Sequence, residues 1–339
     1  MNLLKFTTST PSFKDVKGHL LKDSIAETAF VELGGIKQWI LMRGRSIHQP
    51  ILIFLHGGPG ISLQGIFRYY NHALEDHFLV VGWDQRGTGK SYQRKIDPKS
   101  MSISQFVSDL HELVCYLKNR FGHQQVYIMG ESWGSLLGIL YAKKYPENLY
   151  AYIGIGQVTH VRKSELLSYE YTLKEANQRH NQKALKELTS IKNPGHHIKD
   201  VKLQRKWLIK FGGVQVNKSS LFPLFLKAFG EKEYALLDLL WFIQGSKMST
   251  QLLWPQIMEI NLFEQVPELH TPVYFLMGRH DYCVSTQLVK EYFDALKAPE
   301  KKWICFDNAG HHPFIECPES FNATVISVKK DIDQQVRTK

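Results

Sequence analysis

The stretch QVYIMGESWGSLLGILYAKKYPENL, residues 125–149, decides how this chain is read. QVYIM is a short β-forming run. The segment after the glycines is apolar and helix-like. Between them lies GESWGS, in which Gly130, Ser132 and Gly134 form the pattern G-x-S-x-G. A turn from strand to helix at this point is so tight that bulky side chains would clash two positions before and two after the serine. Glycines remove that clash and leave Ser132 protruding. The stretch is either a turn that packing needs or a device that holds a serine out for chemistry, and the rest of the sequence has to decide.

Other short apolar runs end in glycine as well: ILIFLHGGPG at 51–60 and FLVVGWDQRGTG at 78–89. Before them, TAFVEL and IKQWILMRG flank Gly34-Gly35, the signature of a β-hairpin that starts near residue 28. SQFVSDLHELVCYLKNRF at 104–121 carries Phe106, Val107, Leu110, Val114 and Leu117 at helical spacing, with Ser104 as the expected N-cap and Ser102 as its competitor. The alternation returns near the end. TPVYFLMG at 271–278 reads as a strand, VSTQLVKEYFDAL at 284–296 as a helix, KKWICF at 301–306 as a strand, and ESFNATVISVKKDIDQQV as a closing helix. Short apolar strands alternating with amphipathic helices imply an α/β fold, a mostly parallel sheet covered by helices on both faces. Residues 158–267 differ, with helical patterns and little strand character. The expected division is an N-terminal extension over 1–24, a first core part over 25–157, an inserted helical cap over 158–267 and a second core part over 268–339.

A serine hydroxyl needs a base within hydrogen-bond reach, and the base needs an acid to hold its tautomer. Asp281 lies just past the strand TPVYFLMG, in GRHDYCV. His311 lies in the loop after KKWICF, in DNAGHHPFIE. Ser132, Asp281 and His311 thus all follow strand C-terminal ends, where open α/β sheets put their sites. His312 competes with His311, which is preferred because it follows Gly310 directly. Asp307 competes with Asp281 and ranks lower, being only four residues from His311. In HGGPG, 56–60, adjacent glycines let backbone N–H groups approach a ligand oxygen, so the N–H groups of Gly58 and Trp133 are the expected oxyanion hole. Asp84 and Arg86 in WDQRGTGKS read as loop buttresses rather than catalysts.

HGGPG, WDQRGTGKS, GESWGS, GRHDYCV and AGHHPFIE, in that order, resemble the proline iminopeptidase branch of the α/β-hydrolase family. The likeness covers about residues 28–157 and 268–330. It implies an α/β-hydrolase fold with a helical cap, a Ser132–His311–Asp281 triad, an oxyanion hole at Gly58 and Trp133, and no metal or other cofactor. In that branch acidic cap residues bind the free α-amino group of a peptide. This cap offers Glu165, Glu170, Glu175, Glu231, Glu233 and Asp238, none of which matches a family motif. The aromatics Tyr169, Tyr171, Phe222, Phe225, Trp241 and Phe242 could line an apolar pocket or simply be core.

The first functional reading is therefore a serine aminopeptidase of proline iminopeptidase type acting on a short peptide or small molecule. The second keeps the machinery and changes the substrate, giving a carboxylesterase, lactonase or amidase on a small apolar acyl group. The third is a binding protein with a dead site, against which the intact serine, aspartate, histidine and glycines argue. Composition excludes little else. The formal charge is +10, but the lysine pairs at 143–144, 301–302 and 329–330 lie far apart, so nucleic acid is not an expected partner. The start lacks an apolar core of signal-peptide length, and runs such as ILIFL are too short to span a bilayer. With Cys115, Cys283, Cys305 and Cys317 scattered and forming no metal-ligand spacing, the expectation is a cytoplasmic protein with no membrane partner.

Overall fold

The computed structural model describes residues 9–216, 233–235 and 238–338. Eight strands form one sheet: β1 (Ile25–Leu33), β2 (Ile36–Gly44), β3 (Ile51–Leu55), β4 (Leu79–Trp83), β5 (Val126–Glu131), β6 (Leu149–Ile155), β7 (Val273–Gly278) and β8 (Lys301–Phe306). Their order is β1-β2-β4-β3-β5-β6-β7-β8. β1 and β2 form the hairpin around Gly34-Gly35, and β2 joins β4 antiparallel. From β4 to β8 every pairing is parallel.

The apolar strands alternate between two cores, as period-2 geometry requires. Ile51, Ile53 and Leu55 of β3 face one side with Val126 and Ile128 of β5. Leu52 and Phe54 face the other with Tyr127 and Met129. The first side is covered by α2 (Ile103–Phe121), α3 (Trp133–Lys144) and α9 (Thr286–Ala295). The second is covered by α1 (Gln64–Asn71), α10 (Pro313–Glu316) and α11 (Pro318–Thr338). Between β6 and β7 the chain leaves the sheet for α4 (Val161–Gln178), α5 (Gln182–Thr189), α6 (Ile198–Phe211), α7 (Asp238–Ile257) and α8 (Leu262–Gln265). Within this helical block Ala176, Ala184, Leu188, Ile191, Trp207 and Phe211 make a small core of their own.

Two local readings change. The α2 cap is Ser102, whose hydroxyl accepts from the Gln105 N–H, so Ser104 is the second helical residue. The hairpin begins at Ile25, because Ile25 pairs with Gly44 at the far end of the register. Strand β6 (LYAYIGI) and helix α1 were not anticipated. The first mixes tyrosine and glycine into its apolar run, and the second is only eight residues long.

Candidate active site

β5 ends at Glu131 and α3 begins at Trp133, so the whole reversal falls on Ser132. Its φ of 52° and ψ of −118° are sparsely populated for a residue with a side chain, a strain of about 1–3 kcal/mol that the surroundings must hold. They do so through glycine. A Cβ on Gly134 would collide with the carbonyls of Leu55 and His56, and one on Gly130 with the backbone of Gly134. The Ser132 N–H is tied to the Ile155 carbonyl at 2.9 Å, which pins the elbow to the end of β6.

The loop after β3 lies against this elbow. A Cβ on Gly57 would come within 3.1 Å of the Ser132 Cβ. His56 is buried, and its Nδ1–H donates to the Gly57 carbonyl at 2.8 Å while Nε2 accepts from the Gln85 N–H at 3.3 Å. Burial holds this imidazole neutral, lowering its pKa to about 4. Gln85 also donates to the His56 carbonyl and accepts from the Trp133 indole at 2.8 Å, linking the loops after β3, β4 and β5. Gly58, Ser132 and Trp133 line one cavity of about 280 Å³. Trp133 is the first helical residue of α3, a position whose N–H has no acceptor within its own helix.

Asp281 follows β7, and His311 follows β8. Both are buried, and His311 Nδ1 lies 2.7 Å from Asp281 Oδ2. The other carboxylate oxygen accepts the N–H groups of Cys283 and Val284, each at 2.9 Å. Asp281 is thus fixed in place and aimed at the ring. Burial alone would lower the His311 pKa, but the facing Asp281 carboxylate raises it above the ordinary histidine range. The ring packs over Gly156, where a Cβ would sit 2.8 Å from Cε1. Its Nε2 lies 3.5 Å from Oε1 of Glu131, the residue before Ser132. Among the described residues no hydrogen bond joins Ser132 Oγ to His311; such contacts often tighten only in the substrate complex. The competitors are occupied elsewhere. His312 lies 3.2 Å from Glu131, and exposed Asp307 pairs with Arg279. Arg86 is salt-bridged to Asp109 in the interior, and Asp84 accepts from Ser62, Tyr234 and the Lys90 N–H, so both brace loops.

A family model described as the alpha/beta hydrolase fold matches residues 50–318. The chain belongs to the α/β-hydrolase fold family. Within it the hydrolase is of proline iminopeptidase-like type. It is 33% identical over 308 residues to "Probable aminopeptidase YbaC" of Bacillus subtilis, covering 90% of this chain and 96% of that one. It is 27% identical to the proline iminopeptidase of Heyndrickxia coagulans, covering 81% and 88%. Among solved structures, the proline iminopeptidase of Mycobacterium smegmatis superposes with a TM-score of 0.66 at 17% identity, over 91% of this chain and all (100%) of that one, a likeness of fold.

The hydrolase cavity is roofed by the helical block. Ser164, Glu165, Val201, Arg205, Thr250, Trp254 and Ile257 line it from α4, α6 and α7. Of the cap acids, Glu165 is in this wall, ion-paired to Arg205. Glu170 is exposed, Glu175 pairs with Arg179, Glu233 with Arg68 and Asp238 with Lys90. Glu231, Phe222 and Phe225 lie outside the described residues. The named cap aromatics are engaged elsewhere: Tyr171 stacks on Tyr282, Trp241 on Tyr92, and Phe242 packs on Tyr234. The cavity's aromatic walls are instead Trp133 and Trp254, and Trp254 was not singled out because an aromatic on a helix carries no signal of which cavity it meets. Glu131 was also missed, although it lies inside the motif. Among the described residues no group of three or more metal-ligating side chains is assembled, and no helix is long and apolar enough to cross a membrane.

Proposed function

We propose that this hydrolase is a serine aminopeptidase of proline iminopeptidase type that releases an N-terminal residue through an acyl-enzyme. The observation that carries the reading is a cap carboxylate, Glu165, in the wall of the cavity lined by Ser132. An α-ammonium leaving water needs such a partner. Arg205 fixes the carboxylate in place, and an incoming ammonium would share it. The aminopeptidase names of the relatives support the same reading.

In this mechanism Ser132 Oγ attacks the scissile carbonyl while its proton passes to His311 Nε2. Asp281 keeps the Nδ1 proton in place and stabilises the imidazolium. The oxyanion is received by the N–H groups of Gly58 and Trp133, each such donor contributing about 3–4 kcal/mol to the transition state. His311 returns the proton to the departing amine, and water repeats the sequence to free the acid. Because only neutral His311 accepts a proton, and its pKa is raised, kcat/KM is expected to climb toward alkaline pH.

A second reading rests on the same wall. Arg205 neutralises Glu165, and Leu136, Val158, Val161 and Ile257 around it are apolar, which also suits a neutral acyl group of an ester or lactone. Steady-state hydrolysis of prolyl-arylamide, its N-acetyl derivative and a short-chain aryl ester separates the two. Amide turnover that needs a free amino terminus, and falls with Glu165→Gln, supports the aminopeptidase. Ester turnover alone overturns it.

A further inference from the structure

The mechanism above gives no part to Glu131, the residue just before the nucleophile. Its carboxylate is 1% exposed. Oε1 lies 3.5 Å from His311 Nε2 and 3.2 Å from His312 Nδ1, the latter an ion-pair contact off hydrogen-bond alignment. Oε2 has no hydrogen-bond partner among the described residues, and a Cβ on Gly57 would collide with it. The His311 and His312 rings meet edge to face, 4.9 Å between centroids. The imidazole of His311 is therefore flanked by two carboxylates, Asp281 on Nδ1 and Glu131 on the Nε2 side.

We propose that Glu131 is a positioning residue of the reaction, whose buried carboxylate stabilises the His311 imidazolium that forms when Ser132 gives up its proton, with His312 taking a share of that carboxylate's charge. This rests on the reading of Ser132 and His311 as nucleophile and base. Asp281 acts from the Nδ1 side, and because the imidazolium charge is shared by both ring nitrogens a second carboxylate on the Nε2 side adds to its effect. Glu131 faces the nitrogen where the proton arrives. A buried carboxylate there without a countercharge would also oppose the oxyanion forming beside Gly58. His312, with Nδ1 at 3.2 Å from the same oxygen, is the side chain placed to take up part of that charge. The ionisable groups around this cluster are Asp281 and Cys283 from the loop after β7, Glu131 from β5, His56 from the end of β3, His311 and His312 from the loop after β8, and Arg205 of α6, which acts on Asp281 and Cys283. Glu131 is held below the ordinary carboxylate range although burial opposes its charge, because His312, His311 and His56 surround it.

The test uses the full-length protein and a fluorophosphonate probe, which reacts with an activated serine whatever the natural substrate. The second-order labelling rate is followed from pH 5 to pH 10 for wild type, Glu131→Gln, His312→Asn and the double variant. Glu131→Gln is expected to lower the midpoint of the acid limb by about one pH unit, through loss of imidazolium stabilisation. His312→Asn is expected to raise it, because the whole Glu131 field then falls on His311. The double variant should follow Glu131→Gln, since without the carboxylate His312 has nothing to share. Rates that fall while every midpoint stays put, or midpoints that move the same way in both single variants, overturn the proposal. Should Glu131→Gln not fold, His312→Asn decides alone: a raised midpoint supports the proposal and an unmoved one overturns it. Absence of labelling at Ser132 in the wild type would instead remove the nucleophile reading beneath it.

Discussion

Ser132 has its backbone in a region that side chains avoid, and its neighbours pay for that strain. Replacing it with alanine leaves the backbone, Gly130 and Gly134 unchanged, so Ser132→Ala is expected to fold normally and lose at least about 10⁴-fold in kcat. Retained turnover with an unchanged melting curve would remove Ser132 from the mechanism. His311→Ala should cost far more than His312→Ala, because Asp281 orients the first ring and not the second. Two buried residues outside the triad contribute in opposite senses to the acid response of the fold. His56 has its pKa lowered from 6.5 to about 4, so in that window the unfolded chain holds a proton the native state lacks, and stability is lost on acidification. Asp84 has its pKa raised from 3.8 to about 6 by burial, so there the native state holds the extra proton, and stability falls as pH rises. Each term is worth about 3 kcal/mol, and they oppose one another. Urea unfolding at pH 4.5 and 6.5 should find the His56→Asn protein gaining stability on acidification relative to wild type, and the Asp84→Asn protein losing it. Parallel curves for all three would show that neither group titrates with folding.

At the scale of elements, the site is a set of loops beyond the ends of β3, β5, β7 and β8, and their spacing is set by backbone packed on backbone. Gly278 ends β7, and a Cβ there would be driven into the carbonyl of Gly310, the residue before His311. Gly278→Ala must therefore separate the two loops that carry Asp281 and His311. It is expected to cut kcat by about 10²-fold with little change in KM, since displacements of about 1 Å cost that much. A proportionate rise in KM with normal kcat would mean the loops absorb the methyl. The glycine-ended apolar runs made the strand ends legible in the sequence, and the parallel order followed from strands and helices taking turns. β6 was not legible, because LYAYIGI places Tyr150 and Tyr152 where an uninterrupted aliphatic run would announce a buried strand, and Tyr152 is buried by bonding Ser135 and Gln157. Within the site, the motif pointed to Ser132, and chain order with loop position favoured Asp281 over Asp307 and His311 over His312. Glu165 could not be separated from five other cap acids, since helical spacing says which face a residue occupies and not which helix that face will meet.

At the scale of the whole molecule, the segment before β1 is bound to the helical block through a buried charge cluster. Arg43 of β2 pairs with Glu75 at 2.8 Å and donates to the Pro11 carbonyl and to the Thr10 hydroxyl. Thr10 donates in turn to Glu233 at 2.6 Å, and Arg68 of α1 reaches Glu233 at 3.2 Å. Phe13 lies under the Arg43 guanidinium, 4.7 Å from its centroid. The neighbouring Tyr234 donates to Asp84 at the end of β4, so the same cluster ties cap, N-terminal segment and sheet together. Among the described residues, Arg43 and Arg68 face Glu75 and Glu233 in an almost water-free place. Glu233→Gln keeps the shape and removes one charge, breaking the buried pair with Arg68. Breaking a buried pair in this way costs about 3–5 kcal/mol, because the remaining charge has no water to return to. The expected result is a urea midpoint lowered to match, and a Thr10→Val change that loses part of its own cost in the Glu233→Gln background, because the two residues share one hydrogen bond. If the cluster also holds the cap over the cavity, Glu233→Gln should raise KM for prolyl-arylamide while fluorophosphonate labelling of Ser132 proceeds at the wild-type rate. Strict additivity of the two substitutions, with KM unmoved, would leave the N-terminal segment as a passive strap with no hold on the site.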